Sequence, residues 1–213
     1  MQHNECPLRA GDIWDSTELP GPLFHLKPTT IERAEIRITR LADWHSYFIL
    51  PLYSTWNLQS PDERNLLLQL KGPVALEGLG EATVVDYMEG IVGVHRTNRT
   101  LQFPQEVMPE RYFYNVCHFD RDLQTAIVVQ NPLEAIALMD RGYPNVLAAM
   151  SAELSPAQEL FLAMHGRQNT VLINIPAPAK YLKGHTYKVI TGMSIDIDRL
   201  IIDDALLRRA TGG

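Results

Sequence analysis

Cysteine is nearly missing from this chain: Cys6 and Cys117 are the only two in 213 residues. Two cysteines so far apart in sequence cannot build a disulfide framework or a cysteine-only zinc site. Cys117 and His118 are adjacent rather than ligand-spaced, so both cysteines read as structural. Long apolar runs are missing too. No stretch of 18 or more apolar residues occurs, and no transmembrane helix is expected. The opening MQHNECPLRAGDIWD lacks the apolar core of a secretory signal, so a cytoplasmic location is expected. Several catalytic signatures are absent. There is no Gly-rich phosphate loop, no H-E-x-x-H pair and no G-x-S-x-G turn. Lone histidines, His165 near a helix end among them, read as structural or surface residues. The last absence is positive charge. The net charge is −6. Residues 1–123 carry 11 Lys and Arg against 17 Asp and Glu, a balance of −6, and residues 124–213 carry 8 against 8. Neither half is a basic module that binds nucleic acid by wholesale phosphate neutralisation. Any nucleic-acid contact must be local, weak or assisted by a partner.

The chain is 46% hydrophobic and 21% charged, which allows a substantial core in one domain or two small ones. No internal repeat or low-complexity segment occurs. The first 30 residues are rich in Pro and Gly with isolated aromatics such as Trp14 and Phe24. They are expected to wrap the surface without regular elements. Alternation in IRIT (36–39) predicts a strand, and the apolar stretch Tyr47 to Tyr53 predicts another. Ser60, Pro61 and Glu63 spell a helix start before LLLQL, and Lys71-Gly72-Pro73 stops it. VALEGL and ATVVDYM predict two strands over 74–88, with IVGV a third after Gly90. This N-terminal part, 1–122, reads as an α+β subdomain.

From residue 123 to 213 the pattern becomes strand–helix alternation. TAIVV is a continuous run, as expected for a strand buried on both faces. Asn131 is an N-cap with Pro132 in the first helical position and Glu134 three residues after the cap. Gly142 ends that helix. VLAAM is a second buried strand. Ser155-Pro156 starts the next helix and Gly166 ends it, with Leu160, Phe161 and Met164 predicted on the inner face. TVLIN is a third strand and YKVITGM a fourth. Short connections of this kind imply an α/β fold with a parallel sheet covered by helices.

At these residues the chain resembles the Toprim domain of bacterial primases, topoisomerases and related nucleases. In the primase branch an apolar strand ends in Glu-Gly-Pro-x-Asp-Ala. Here Gln130-Asn131-Pro132-Leu133-Glu134-Ala135 lies over that motif. Gly142 and Asn145-Val146 lie over the following turn and strand. Leu154-Ser155-Pro156-Ala157-Gln158 lies over a Leu-Thr/Ser-x-x-Gln helix start, and Asn174-Ile175-Pro176 over the Asp-x-Asp that ends the third strand. The last strand with Asp196-Ile197-Asp198 is similar to the tail of the primase module. The likeness covers about residues 123–205. A fainter one begins near residue 74. Gly90-Ile91-Val92-Gly93-Val94-His95-Arg96 resembles a Gly-x-Val-Val-Gly-Phe-x-x-Arg strand pair, and Arg111-Tyr112-Phe113-Tyr114-Asn115 a Lys-Tyr-Leu-Asn segment. Residues 1–70 match no such pattern, and no Cys-His zinc finger precedes the module.

The resemblance implies a strand-end Glu as general acid or base and an Asp-x-Asp pair that helps hold magnesium. This chain departs at all three positions, with Gln130, Asn174 and Pro176. Hard divalent ions need carboxylate oxygens, and two-metal chemistry needs several. Gln130 cannot exchange a proton near neutral pH. No catalytic residue and no cofactor are therefore assigned, and magnesium stays the weak alternative. Glu134 keeps an acid, best read as the third residue of a capped helix. Asp196 and Asp198 read as turn and N-cap residues before Leu200-Ile201-Ile202.

One polar cluster stands apart. His95, Arg96, Arg99, Arg111, Tyr112, Tyr114, His118 and Arg121 fall between 95 and 121 with few acids among them. Cations interleaved with aromatics suit single-stranded DNA or RNA. The resemblance implies template or nucleotide contact for Arg96, Arg111 and Tyr112, and Arg99 and Arg121 extend the candidate surface. Three functions remain compatible with the sequence. The first is a catalytically degenerate primase-like module that binds nucleic acid, or serves replication proteins, in DNA replication or mobile-element transactions. The second is a protein-interaction scaffold on the same fold. The third is a metal-dependent nucleotidyl transferase or nuclease with relocated acids, for instance Glu134 with Asp196.

Overall fold

In the computed structural model the described residues are 26–38, 47–54, 88–95, 99–103, 107–120, 122–165, 169–178, 187–196 and 201–212. The helix expected after Ser60 and, but for Met88, the two strands expected over 74–88 lie outside them.

Eleven strands and four α-helices are found among the described residues. The N-terminal part supplies α1 (Pro28–Ala34), β1 (Arg37–Ile38), β2 (Tyr47–Ser54), β3 (Met88–His95), β4 (Leu101–Gln102) and β5 (Tyr112–Tyr114). The C-terminal part supplies β6 (Thr125–Val129), α2 (Pro132–Asp140), β7 (Val146–Ala148), α3 (Pro156–His165), β8 (Asn169–Ile173) and β9 (Tyr187–Ile190). The chain closes with β10 (Ile195–Asp196), β11 (Ile201–Ile202) and α4 (Asp204–Thr211). One sheet runs in the order β4-β3-β2-β5-β7-β6-β8-β9, with β1 beside β2, and β10-β11 form a separate antiparallel pair. The first strands are antiparallel. β7, β6, β8 and β9 are parallel. The two regimes meet at a single antiparallel pairing, Tyr114 against Ala148. The fold is thus a mixed α/β sheet flanked by helices, parallel over the C-terminal strands where the strand–helix alternation predicts it and continued by the antiparallel N-terminal strands.

The continuous apolar character of TAIVV follows from burial on both faces. Ile127 and Val129 pack with Leu133 and Ile136 of α2 and with Leu207 of α4. Val128, between them, points the other way, toward Phe161 and Leu162 of α3. Phe161 also meets Phe113 and Phe119, with ring centroids at 5.7 and 5.3 Å. This aromatic group fixes the rotation of α3. Leu162 is buried with Phe161, while Met164 is 65% exposed, contrary to its expected inward face.

α2 starts where its sequence spells a start. The Asn131 side chain accepts from the Leu133 N–H at 2.9 Å, and Glu134 accepts from the Asn131 N–H at 3.2 Å, a capping box with Pro132 inside it. It stops at Gly142, which takes φ +94°. α1 is a helix where irregular chain was expected. It is held by Asp140 at the end of α2, whose carboxylate accepts from the Lys27 N–H and the Thr30 hydroxyl, both at 2.8 Å. Lys27 Nζ and the Arg33 guanidinium reach the carbonyls of Asp140 and Pro144. Asp196 also departs from expectation. It lies in β10, opposite Ile201, rather than in a turn, and the N-cap nearby is Asp203, which accepts from the Leu206 N–H at 3.0 Å. Asp198 lies outside the described residues. No helix among the described residues is long and apolar enough to cross a membrane.

Candidate functional site

β6 and β8 are parallel neighbours, so the residues after them share one sheet edge. Those residues are Gln130 and Asn174. Gln130 Nε2 donates to the Asn174 carbonyl at 2.5 Å and lies 3.5 Å from the Ala152 carbonyl, at the outer limit for a hydrogen bond. Asn174 leaves the strand in the left-handed region at φ +56°, a conformation Asn tolerates better than most residues. Its side chain binds the Met193 backbone twice, donating to the carbonyl at 2.7 Å and accepting from the N–H at 3.2 Å. Its own N–H donates to the Ile190 carbonyl at 2.7 Å. Pro176 is exposed beyond this turn. Glu134 stands beside the pair through its capping box. Burial pushes its carboxyl above the ordinary range, against the lowering effect of hydrogen bonds from the Asn131 and Gln130 backbone.

The sheet edge therefore gathers Gln130, Asn174 and Glu134, and it gathers them as a network of amides. These donors do not fit magnesium. Both Asn174 side-chain atoms are committed to Met193, and the Gln130 amide nitrogen is a donor facing an oxygen. No group of three or more His, Cys, Asp or Glu is placed to hold a metal ion among the described residues. Two carbonyls and one capping carboxylate cannot replace the charge that a hard divalent ion requires.

The basic and aromatic segment lies at the seam between the two sheet regimes. Arg111 is exposed, at the end of a 3-10 turn (Pro109–Arg111) whose closing bond runs from the Arg111 N–H to the Met108 carbonyl at 3.0 Å. Arg99 is half-buried at φ +60°. Arg96 and Arg121 lie outside the described residues. Tyr112 is only 8% exposed and packs in the core, so its ring is not presented for base stacking in this conformation. Tyr114 is buried as well, with its hydroxyl donating to the Ala34 carbonyl at 2.7 Å. His118 pairs with Glu35 at 3.1 Å.

This segment is held by side chains at the start of α3. The Ser155 hydroxyl accepts from the Gln158 N–H at 3.1 Å, and Gln158 Oε1 accepts from the Ser155 N–H at 3.0 Å, closing a second capping box. The same side chains also reach outward. Ser155 Oγ donates to the Glu110 carbonyl at 2.5 Å, and Gln158 Nε2 donates to the carbonyls of Tyr112 at 2.7 Å and Ala149 at 3.0 Å. The S-x-x-Q spacing signals the cap, but nothing local signals the reach to residues 110 and 112.

With this geometry, the chain is similar to solved bacterial primase cores. It aligns with the E. coli primase catalytic core at a TM-score of 0.55 and 13% identity, over 88% of this chain and 70% of that one. Against the DnaG primase catalytic domain bound to ssDNA the values are 0.54 and 14%, over 92% and 76%. Against the Mycobacterium tuberculosis DnaG RNA polymerase domain in complex with double-stranded DNA they are 0.50 and 13%, over 89% and 61%. The chain thus spans less than two thirds of that last structure. Such identities establish a shared fold. No family model and no curated protein matches the sequence.

Proposed function

We propose that this chain is a catalytically degenerate, primase-like Toprim protein that acts as a nucleic-acid-binding or accessory module in DNA replication or mobile-element transactions. The observation that carries the reading is the amide network at the sheet edge. On a fold similar to primase cores, Gln130 and Asn174 occupy the strand ends and spend their polar atoms on backbone partners. That arrangement supports a scaffold that has given up ion-dependent chemistry. Exposed Arg111 supports retention of a local phosphate contact. A relocated active site built on Glu134 has less support, because its carboxylate is already engaged by the helix N-terminus.

The test is a titration with labelled single-stranded oligo-dT at about 50 and about 200 mM salt. Weak binding that falls with salt is expected, and Arg96→Ala and Arg111→Ala should each weaken it. No salt-sensitive binding, or no effect of either substitution, would overturn the nucleic-acid role. The alternative is a protein-interaction scaffold, which the −6 balance of residues 1–123 favours because it repels phosphate. A stable partner recovered without nucleic acid would select it.

A further inference from the structure

The exposed Arg111 is bracketed on both sides, by Ser155 just before α3 and by Gln158 within it. The carbonyl before it, of Glu110, accepts from Ser155 Oγ at 2.5 Å. The carbonyl after it, of Tyr112, accepts from Gln158 Nε2 at 2.7 Å. Gln158 is fully buried and also holds the Ala149 carbonyl just past β7. Ser155 and Gln158 in turn hold each other through the capping box. Arg111 itself closes a 3-10 turn that begins at Pro109. Few degrees of freedom remain in its backbone. A cap alone needs neither outward bond, since helix N-termini are satisfied by the reciprocal Ser155–Gln158 pair.

We infer that Ser155 and Gln158 are positioning residues that fix the backbone of Arg111, so that its guanidinium is presented to a phosphate of single-stranded nucleic acid at little ordering cost. The inference rests on the nucleic-acid reading above. A side chain whose backbone is already ordered loses less entropy on binding, so affinity rises without a new contact. The clamp also joins the seam segment to the C-terminal edge of the parallel sheet, because Ala149 leads directly toward Ala152, which faces Gln130.

The experiment uses the full chain and oligo-dT of about 20 nucleotides. Binding is measured over a salt series for wild type, Ser155→Ala, Ser155→Thr, Arg111→Ala and the double variant Ser155→Ala/Arg111→Ala. Ser155→Ala should weaken binding about fivefold in the wild-type background and not at all in the Arg111→Ala background. Its salt slope should stay that of wild type, because the Arg111 contact still forms at greater ordering cost, whereas Arg111→Ala should lower the slope by about 0.7, the share of one single-strand phosphate. Ser155→Thr keeps the hydroxyl and should restore the affinity. Amide hydrogen exchange of residues 110–114 should quicken in Ser155→Ala while that of 125–140 stays unchanged. If wild type binds and Arg111→Ala weakens it, but Ser155→Ala matches wild type in affinity, the positioning role fails and the nucleic-acid reading stands. If wild type does not bind, that reading fails and this inference with it. Gln158→Leu gives a second variant, and unchanged binding by its folded form would count against the clamp in the same way.

Discussion

Returning one acid to the sheet edge gives the sharpest test of the amide network. Gln130→Glu is nearly isosteric, so it leaves no cavity and isolates the change of donor to acceptor. In the wild type, Gln130 Nε2 donates to the Asn174 carbonyl at 2.5 Å. In the variant two oxygens face each other at that distance, and a second carboxyl sits near Glu134, which is held to the same backbone turn. An acceptor left without its donor costs about 1–3 kcal/mol, and like charge adds to it, so a loss of about 2 kcal/mol is expected near pH 8. For a chain of this size that lowers the Tm by about 4–8 °C. The sign with pH is set by the protonated form, which alone can donate to the Asn174 carbonyl. The folded-state pKa of the new carboxyl is therefore raised. Its favourable contribution is present below the unfolded value, about 4.3, and is lost as pH rises through the folded value. Thermal unfolding of both proteins from pH 4 to 8 should show curves that converge at the acid end and separate toward the alkaline end. An equal Tm at pH 8 would refute the reasoning. So would millimolar magnesium that raises the Tm of the variant above that of the wild type, since the edge would then accept the ion after all.

Glu134 gives a related test in the wild type. Its folded-state pKa is raised by burial, so its contribution to stability is lost as pH climbs above 4.5. Glu134→Gln preserves the capping box and should flatten that decline in urea unfolding between about pH 4.5 and 7. A steeper decline would contradict the assignment. Asp140→Ala removes the acceptor shared by the Lys27 N–H and the Thr30 hydroxyl. A loss of about 1–3 kcal/mol is expected, with faster tryptic cleavage after Arg33, the Lys27–Pro28 bond being resistant to trypsin in either protein. Tyr114→Phe strands the buried Ala34 carbonyl and should cost about 1–2 kcal/mol by denaturant titration. Unchanged stability would mean that a solvent molecule replaces the hydroxyl.

The parts of this fold that were legible in the sequence are those with local causes. TAIVV reads as a strand because all of its side chains must suit two buried faces, and the structure packs Val128 and Val129 into different cores. Asn131, Pro132 and Glu134 carry the start of α2 within four residues. Other features needed distant partners. Met164 and Leu162 have equal claim to the inner face of α3 by hydropathy, and the decision came from Phe113 and Phe119, which hold Phe161. α4 buries only Leu207 and Ala210 along its eight residues, too few to stand out beside its charges. At the candidate site the positions of Gln130 and Asn174 could be read, but their mutual bond depends on the register of β6 against β8. The orientation of Tyr112 was misleading for a similar reason. Cations and aromatics alternate in the sequence there, yet Tyr112, Phe113 and Tyr114 all turn into the core, because β5 is covered on both sides.

The strand order also has a consequence for how the chain assembles. β5 pairs with β7, not with β6, although β6 follows it directly in sequence. The inner edge of the antiparallel strands is therefore completed by a strand that emerges from the ribosome after the whole of β6 and α2. β6 in turn waits for β8 to cover its second edge. The β5 edge stays open until residue 148 is available, and the second edge of β6 until residue 173. Exposed edges of that kind invite pairing with other chains, and non-local closure is slow. Truncations that end between β6 and β8 should aggregate, whereas the full chain closes both edges with its own strands.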